Sequence, residues 1–133
     1  MKEVQSKMNT KIIMSASAVA MGITGLVLTF LPQEVASAVG WTEGSVIVFQ
    51  IAGALYFGFA MLNWMSKANL IGGIYNRPVA VGNATHFFIA ALALLKFSPK
   101  NAVLTVMAII YSFFAVAFVY ILFTHPVKGS KTE

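Results

Sequence analysis

Four apolar runs, Ile12–Leu31, Val46–Met65, Pro78–Leu95 and Ala102–Phe123, occupy most of the 133 residues. Each is close to the roughly 20 residues a helix needs to cross about 30 Å of hydrocarbon. Their boundaries carry breaking signals: Pro32 ends the first run, Lys96, Ser98, Pro99 and Lys100 separate the third from the fourth, and Thr124-His125-Pro126 closes the last. Charged residues make up 10% of the chain, against about 25% in a soluble domain, so water is not its main solvent. The expected fold is all-α: a single membrane domain over residues 1–133, built as an antiparallel four-helix transmembrane bundle.

Orientation follows from Lys and Arg, which stay preferentially on the cytoplasmic side. With the four runs alternating across the bilayer, one side receives seven, Lys2, Lys7, Lys11, Lys67, Arg77, Lys128 and Lys131, and the other only Lys96 and Lys100. Both termini are therefore expected in the cytoplasm, and the protein in the cytoplasmic (inner) membrane. Trp41 and Trp64 fit interfacial anchors. A cleaved signal peptide is the rival reading of the N-terminus, since a basic leader, an apolar stretch and Ala36-Ser37-Ala38 supply its parts. The first run exceeds the usual signal core of about 7 to 15 residues, which favours retention as a span. The net charge of +5 is spread over short loops and does not point to nucleic acid.

Several chemistries lack their residues. The chain has no Cys, which removes disulfides, thiolate metal sites and cysteine nucleophiles. Glu3, Glu34, Glu43 and Glu133 are the only acids and all lie outside the apolar runs, so no membrane carboxylate is at hand to hold a hard cation or relay a proton. That argues against metal transport and proton-coupled export. Ser15, Ser17 and Ser112 lie within apolar helices without a nearby acid, His86 has no carboxylate to orient it for nucleophilic catalysis, and no Gly-Lys-Ser/Thr phosphate loop occurs. Haem would need two axial ligands at one height, but His125 lies at the end of the fourth run and His86 about nine residues, or ~13 Å, inside the third. No cofactor, no metal and no enzymatic activity are expected.

At about 100° per residue, Ala18, Gly22, Gly25 and Thr29 share a stripe of the first span. Gly82, His86, Ala90 and Ala93 share one in the third, and Ala108, Ser112 and Ala115 one in the fourth. Small residues let backbones approach closely in lipid, so these stripes read as contact faces. Span two offers Gly53 and Ala60 on one side and Gln50, Ala54, Phe57 and Met61 on another. Phe88, Leu92 and Leu95 turn to lipid.

Polar groups inside a bilayer are costly and point to function. Matching depths along antiparallel spans places His86 near Tyr56 and Phe57 and within about a turn of Tyr111 and Ser112, with Asn83 one turn away. An interior pocket of Tyr56, Asn83, His86 and Tyr111 is one reading. Hydrogen bonds between helices, with His86 bonded to another span, is the plainer one and carries more weight, because these groups can satisfy one another. The stretch Lys67 to Pro78 is the second candidate. Gly72-Gly73 permits a tight turn, and Arg77, the only arginine, stands with Lys67 and Tyr75 at the boundary, suited to a lipid phosphate or a partner's carboxylate. Arg77 snorkelling to headgroups, with Pro78 in the first turn of span three, is the equally weighted structural alternative.

The segments Gln50–Trp64 (QIAGALYFGFAMLNW) and Leu70–Phe87 (LIGGIYNRPVAVGNATHF) resemble a family of small bacterial four-span membrane proteins with no assigned activity. The resemblance implies a bacterial inner-membrane setting and nothing about chemistry. Glutathione-linked membrane enzymes share the length and span count, but Asn83-Ala-Thr-His86 has His where their pattern needs Glu. The Gly-Phe-Thr-Thr-Phe-Ser segment of small fluoride channels is absent. Two function classes follow: an accessory protein that binds a lipid, a quinone-like apolar molecule or a larger membrane complex, and, second, a small channel or transporter formed as a homo-oligomer.

Overall fold

The computed structural model describes residues 2–68, 76–97 and 101–124 and, among these, the side chains within Thr10 to Phe123. Its helices are α1 (Lys2–Phe30), α2 (Pro32–Ala38), α3 (Ile47–Ser66), α4 (Arg77–Lys96) and α5 (Ala102–Thr124). Four segments, Thr10–Phe30, Ile47–Ser66, Arg77–Lys96 and Ala102–Phe123, are long and apolar enough to cross a membrane. Large apolar side chains face outward all around, with Phe123 82%, Met65 72% and Val116 70% exposed. In water such a surface would drive aggregation, whereas in lipid it is simply the solvent-facing side.

α1 starts at Lys2 rather than near Ile12, because the stretch from Lys2 to Lys11 contains neither Pro nor Gly to stop the helix. The short α2 was not evident in the sequence. Pro32 opens it with a preset φ. Gly40 closes it at φ 73°, where Trp41 N–H donates to Ala36 O at 2.8 Å and Gly40 N–H to Ser37 O at 3.1 Å, the paired bonds of a glycine helix stop. Asn101 Nδ2 donates to Ala38 O at 2.8 Å, and Asn101 Oδ1 caps α5 by accepting from Leu104 N–H at 2.9 Å. One residue thus ties α2 to the start of α5.

The spanning helices neighbour one another in chain order, with α5 returning to α1, and their closest pairs are α1 with α3 and α4 with α5. The α1–α3 seam is the expected glycine stripe. A Cβ built on Gly25 would fall 2.9 Å from both Gly53 O and Phe57 N, and one on Gly53 would strike Thr29 Oγ1. The α4–α5 seam is aromatic: Phe87 stacks on Phe114 at 4.9 Å and on Phe118 at 5.7 Å. Met14 and Met21 of α1 meet this cluster in the centre of the bundle.

In α5 the expected Ala108 and Ala115 are buried, whereas the stripe of α4 shifts in phase. In α4 the buried residues are Ala80, Asn83, Ala84, Phe87 and Ala91, while Gly82, His86 and Ala90 flank that face and Ala93 is exposed. Phe87 draws the face round because its ring buries more area than the small residues beside it. In α3, Gly53, Ala60 and Asn63 are buried. The Ala54, Phe57 and Met61 side chains of the second expected face are exposed, while Gln50 of that face turns to α1 and its Nε2 donates to Thr29 O at 3.4 Å. Phe88, Leu92 and Leu95 are exposed, as expected.

Candidate functional site

Three elements bring Tyr56 of α3, His86 of α4 and Tyr111 of α5 together near mid-bundle. The imidazole lies edge-on to Tyr56 at 5.2 Å between ring centres, 5.8 Å from Tyr111, and stacked on Phe59 at 5.3 Å. Phe87, next in sequence, lies 5.2 Å away. The neighbour on α3 is Phe59 rather than Phe57, because residues 56 and 59 share a helix face at a three-residue spacing. Tyr111 donates a hydrogen bond to the Tyr56 hydroxyl.

His86 does not make the expected bond to another span: its Nε2 is buried and has no hydrogen-bond partner. Four aromatic rings surround it, and the one hydrogen bond among the nearby hydroxyls runs from Tyr111 to Tyr56. A buried nitrogen without a partner costs on the order of 1–3 kcal/mol. The tyrosine pair shares one bond and so keeps one O–H proton over. The cluster therefore offers a hydroxyl donor and an imidazole nitrogen side by side in an otherwise aromatic setting.

Asn83 belongs to a different assembly. It pairs reciprocally with Asn63 of α3, Asn63 Nδ2 donating to Asn83 Oδ1 at 2.7 Å and Asn83 Nδ2 to Asn63 Oδ1 at 2.6 Å. The spare hydrogens are also used: Asn63 Nδ2 donates to Ser17 Oγ at 3.0 Å and Asn83 Nδ2 to Val79 O at 2.8 Å. Ser17 in turn donates to Met14 O at 2.9 Å. Asn63, Asn83 and Ser17 are all fully buried. This closed network joins α1, α3 and α4 and leaves nothing for a ligand. Asn63 and Ser17 were missed as interior polar residues. The available signal was the spacing of Gly53, Ala60 and Asn63, which continues one face of α3.

An apolar cavity of about 200 Å³ opens between α1 and α5, lined by Met21, Thr24, Phe87, Met107, Ile110 and Tyr111 among others. It shares Phe87 and Tyr111 with the histidine cluster. Its volume is below the roughly 300–1,000 Å³ of sites that enclose a whole ligand, so it suits one portion of a longer molecule.

At the α3–α4 end, Lys67 follows α3 directly, its Nζ lying 2.7 Å from the centre of the Trp64 ring. Arg77 is exposed in the first turn of α4 beside Pro78. Gly72, Gly73 and Tyr75 lie outside the described residues. Among the described residues, no three His, Cys, Asp or Glu side chains gather to hold a metal. In comparisons with known proteins, no family model, curated protein or solved structure matches the chain.

Proposed function

We propose that this chain is a non-enzymatic accessory protein of the bacterial inner membrane, both termini cytoplasmic, that binds an apolar amphiphile in its bundle. The ligand class is a lipid-like or quinone-like molecule bearing a carbonyl or hydroxyl. One observation carries the reading: His86 Nε2 is buried without a partner beside the Tyr56–Tyr111 hydroxyl pair. A carbonyl there would accept the spare tyrosine proton or an Nε2–H, and a hydroxyl would donate to a bare Nε2. The neighbouring cavity takes part of the apolar body, and the rest stays in lipid. The membrane setting and orientation rest on the Lys/Arg asymmetry and on the family resemblance of spans two and three. Association with a larger membrane complex is compatible with this role.

A channel formed by several copies has less support. The buried amides at the α3–α4 end close on each other, whereas a solute path needs polar groups along its length. Native mass spectrometry from mild detergent tests the proposal. Wild type should carry a small apolar adduct at one per chain, and His86→Leu should lose it. A wild-type spectrum free of such an adduct would count against ligand binding.

A further inference from the structure

The α1–α3 seam does not end with its glycines. On α1 the three- and four-residue spacing that sets Gly25 and Gly22 against α3 continues through Ala18 and Ser15 to Lys11. On α3 the stripe of Gly53, Phe57 and Ala60 continues through Trp64 to Lys67. The bond from Asn63 to Ser17 fixes the antiparallel register, which brings Lys11 and Lys67 to the same end of the seam. Trp64 braces Lys67 from below. Along α1, Lys11 and Ser15 stand at one end of an open apolar groove of about 640 Å³ lined further by Ile12, Ala16, Val19 and Ala20.

Two ammonium groups thus converge at a membrane boundary. Glu34 and Glu43 lie in and after α2, toward the opposite end of the bundle, and Glu3 and Glu133 lie outside the described side chains. Loss of water around Lys67, together with the nearby charge of Lys11, holds its pKa below the ordinary lysine value. An anion between the two lysines would reverse that effect. A single Lys at a helix end is an ordinary snorkelling residue. Two on facing stripes, with an interfacial Trp under one and an apolar groove under the other, match the order of charge and hydrocarbon in a phospholipid.

The geometry points to a binding site for one anionic phospholipid, its phosphate held between Lys11 and Lys67 and one acyl chain laid along Ile12, Ala16 and Val19. Ser15 supplies a hydroxyl below the phosphate. The site contains none of Tyr56, His86 and Tyr111 and does not depend on that reading. It differs from a diffuse basic surface in predicting defined stoichiometry and preference for negative headgroups.

The test adds phosphatidylglycerol or phosphatidylcholine to the delipidated full-length protein in mild detergent and counts bound lipids by native mass spectrometry. Phosphatidylglycerol should bind at one per chain well above phosphatidylcholine. With each lysine near the surface worth about 1 kcal/mol, Lys11→Gln or Lys67→Gln should weaken it about fivefold and the double variant about thirtyfold. The double Lys→Arg variant should retain binding, and Lys96→Gln, at the other end of α4, should not change it. Excess inorganic phosphate should not displace the lipid, because the acyl contact is part of the site. Equal binding of both lipids, unchanged binding in the double Gln variant, or displacement by phosphate alone would overturn the proposal.

Discussion

Asn63 and Asn83 face each other as a reciprocal amide pair, bonded at 2.7 and 2.6 Å, where the α1–α3 half of the bundle meets the α4–α5 half. The two halves touch less extensively than the helices within each half, so this pair fixes their register more than its size suggests. Removing one amide strands the other, whereas removing both leaves an apolar contact. Asn63→Leu and Asn83→Leu should each destabilise the protein by roughly 1–2 kcal/mol. The double variant should cost less than their sum. Reversible unfolding in mixed micelles measures the cycle, and strictly additive losses would show that the amides act independently.

The second prediction concerns Gly25. Its missing Cβ allows the α3 backbone to lie against it, and a larger side chain must push the helices apart. Gly25→Val should destabilise by roughly 1–3 kcal/mol or more, the usual cost of overpacking. Gly58, around which an added Cβ meets nothing within 4 Å, is the internal control. Gly58→Ala should be neutral or slightly stabilising in the same assay.

How far the sequence reveals this structure depends on what enforces each feature. The four spans and the Ala18–Gly22–Gly25–Thr29 stripe were readable because lipid thickness and backbone approach each demand one kind of residue. The face of α4 was misphased because Phe87 outweighs the small residues Gly82, Ala90 and Ala93 in setting what is buried. Asn63 was hidden in the last turn of an apolar run, where a polar residue is usually interfacial. Of the expected four-residue pocket, Tyr56, His86 and Tyr111 do converge, while Asn83 turns to Asn63. That choice between two polar neighbours is made by side-chain geometry, which no spacing rule contains.

Topology has a direct check that exploits the absence of cysteine. Thr42→Cys, between α2 and α3, should react with a membrane-impermeant maleimide added to intact cells. Ala68→Cys, just past α3, should react only after permeabilisation. The opposite pattern would invert the orientation read from the Lys/Arg asymmetry.

His86 gives a prediction of unusual sign. A histidine bonded across the bundle would be missed on removal, but His86 Nε2 has no partner to lose. In delipidated protein, His86→Leu should be neutral or stabilising by about 1 kcal/mol, since it removes an unsatisfied buried nitrogen. Thermal unfolding in detergent measures it. A clear loss of stability would mean that the imidazole is held by a bond within the protein.

The central claim is that a ligand completes His86 Nε2, and nitrogen NMR of histidine-labelled protein tests it most directly. The spectra to compare are those of protein in bilayers of purified synthetic lipid and in bilayers of extracted bacterial membrane lipid. The account predicts that the His86 Nε2 resonance moves to a hydrogen-bonded position in the extracted lipid, while His125 serves as the reference signal. An identical His86 resonance in both bilayers would contradict it.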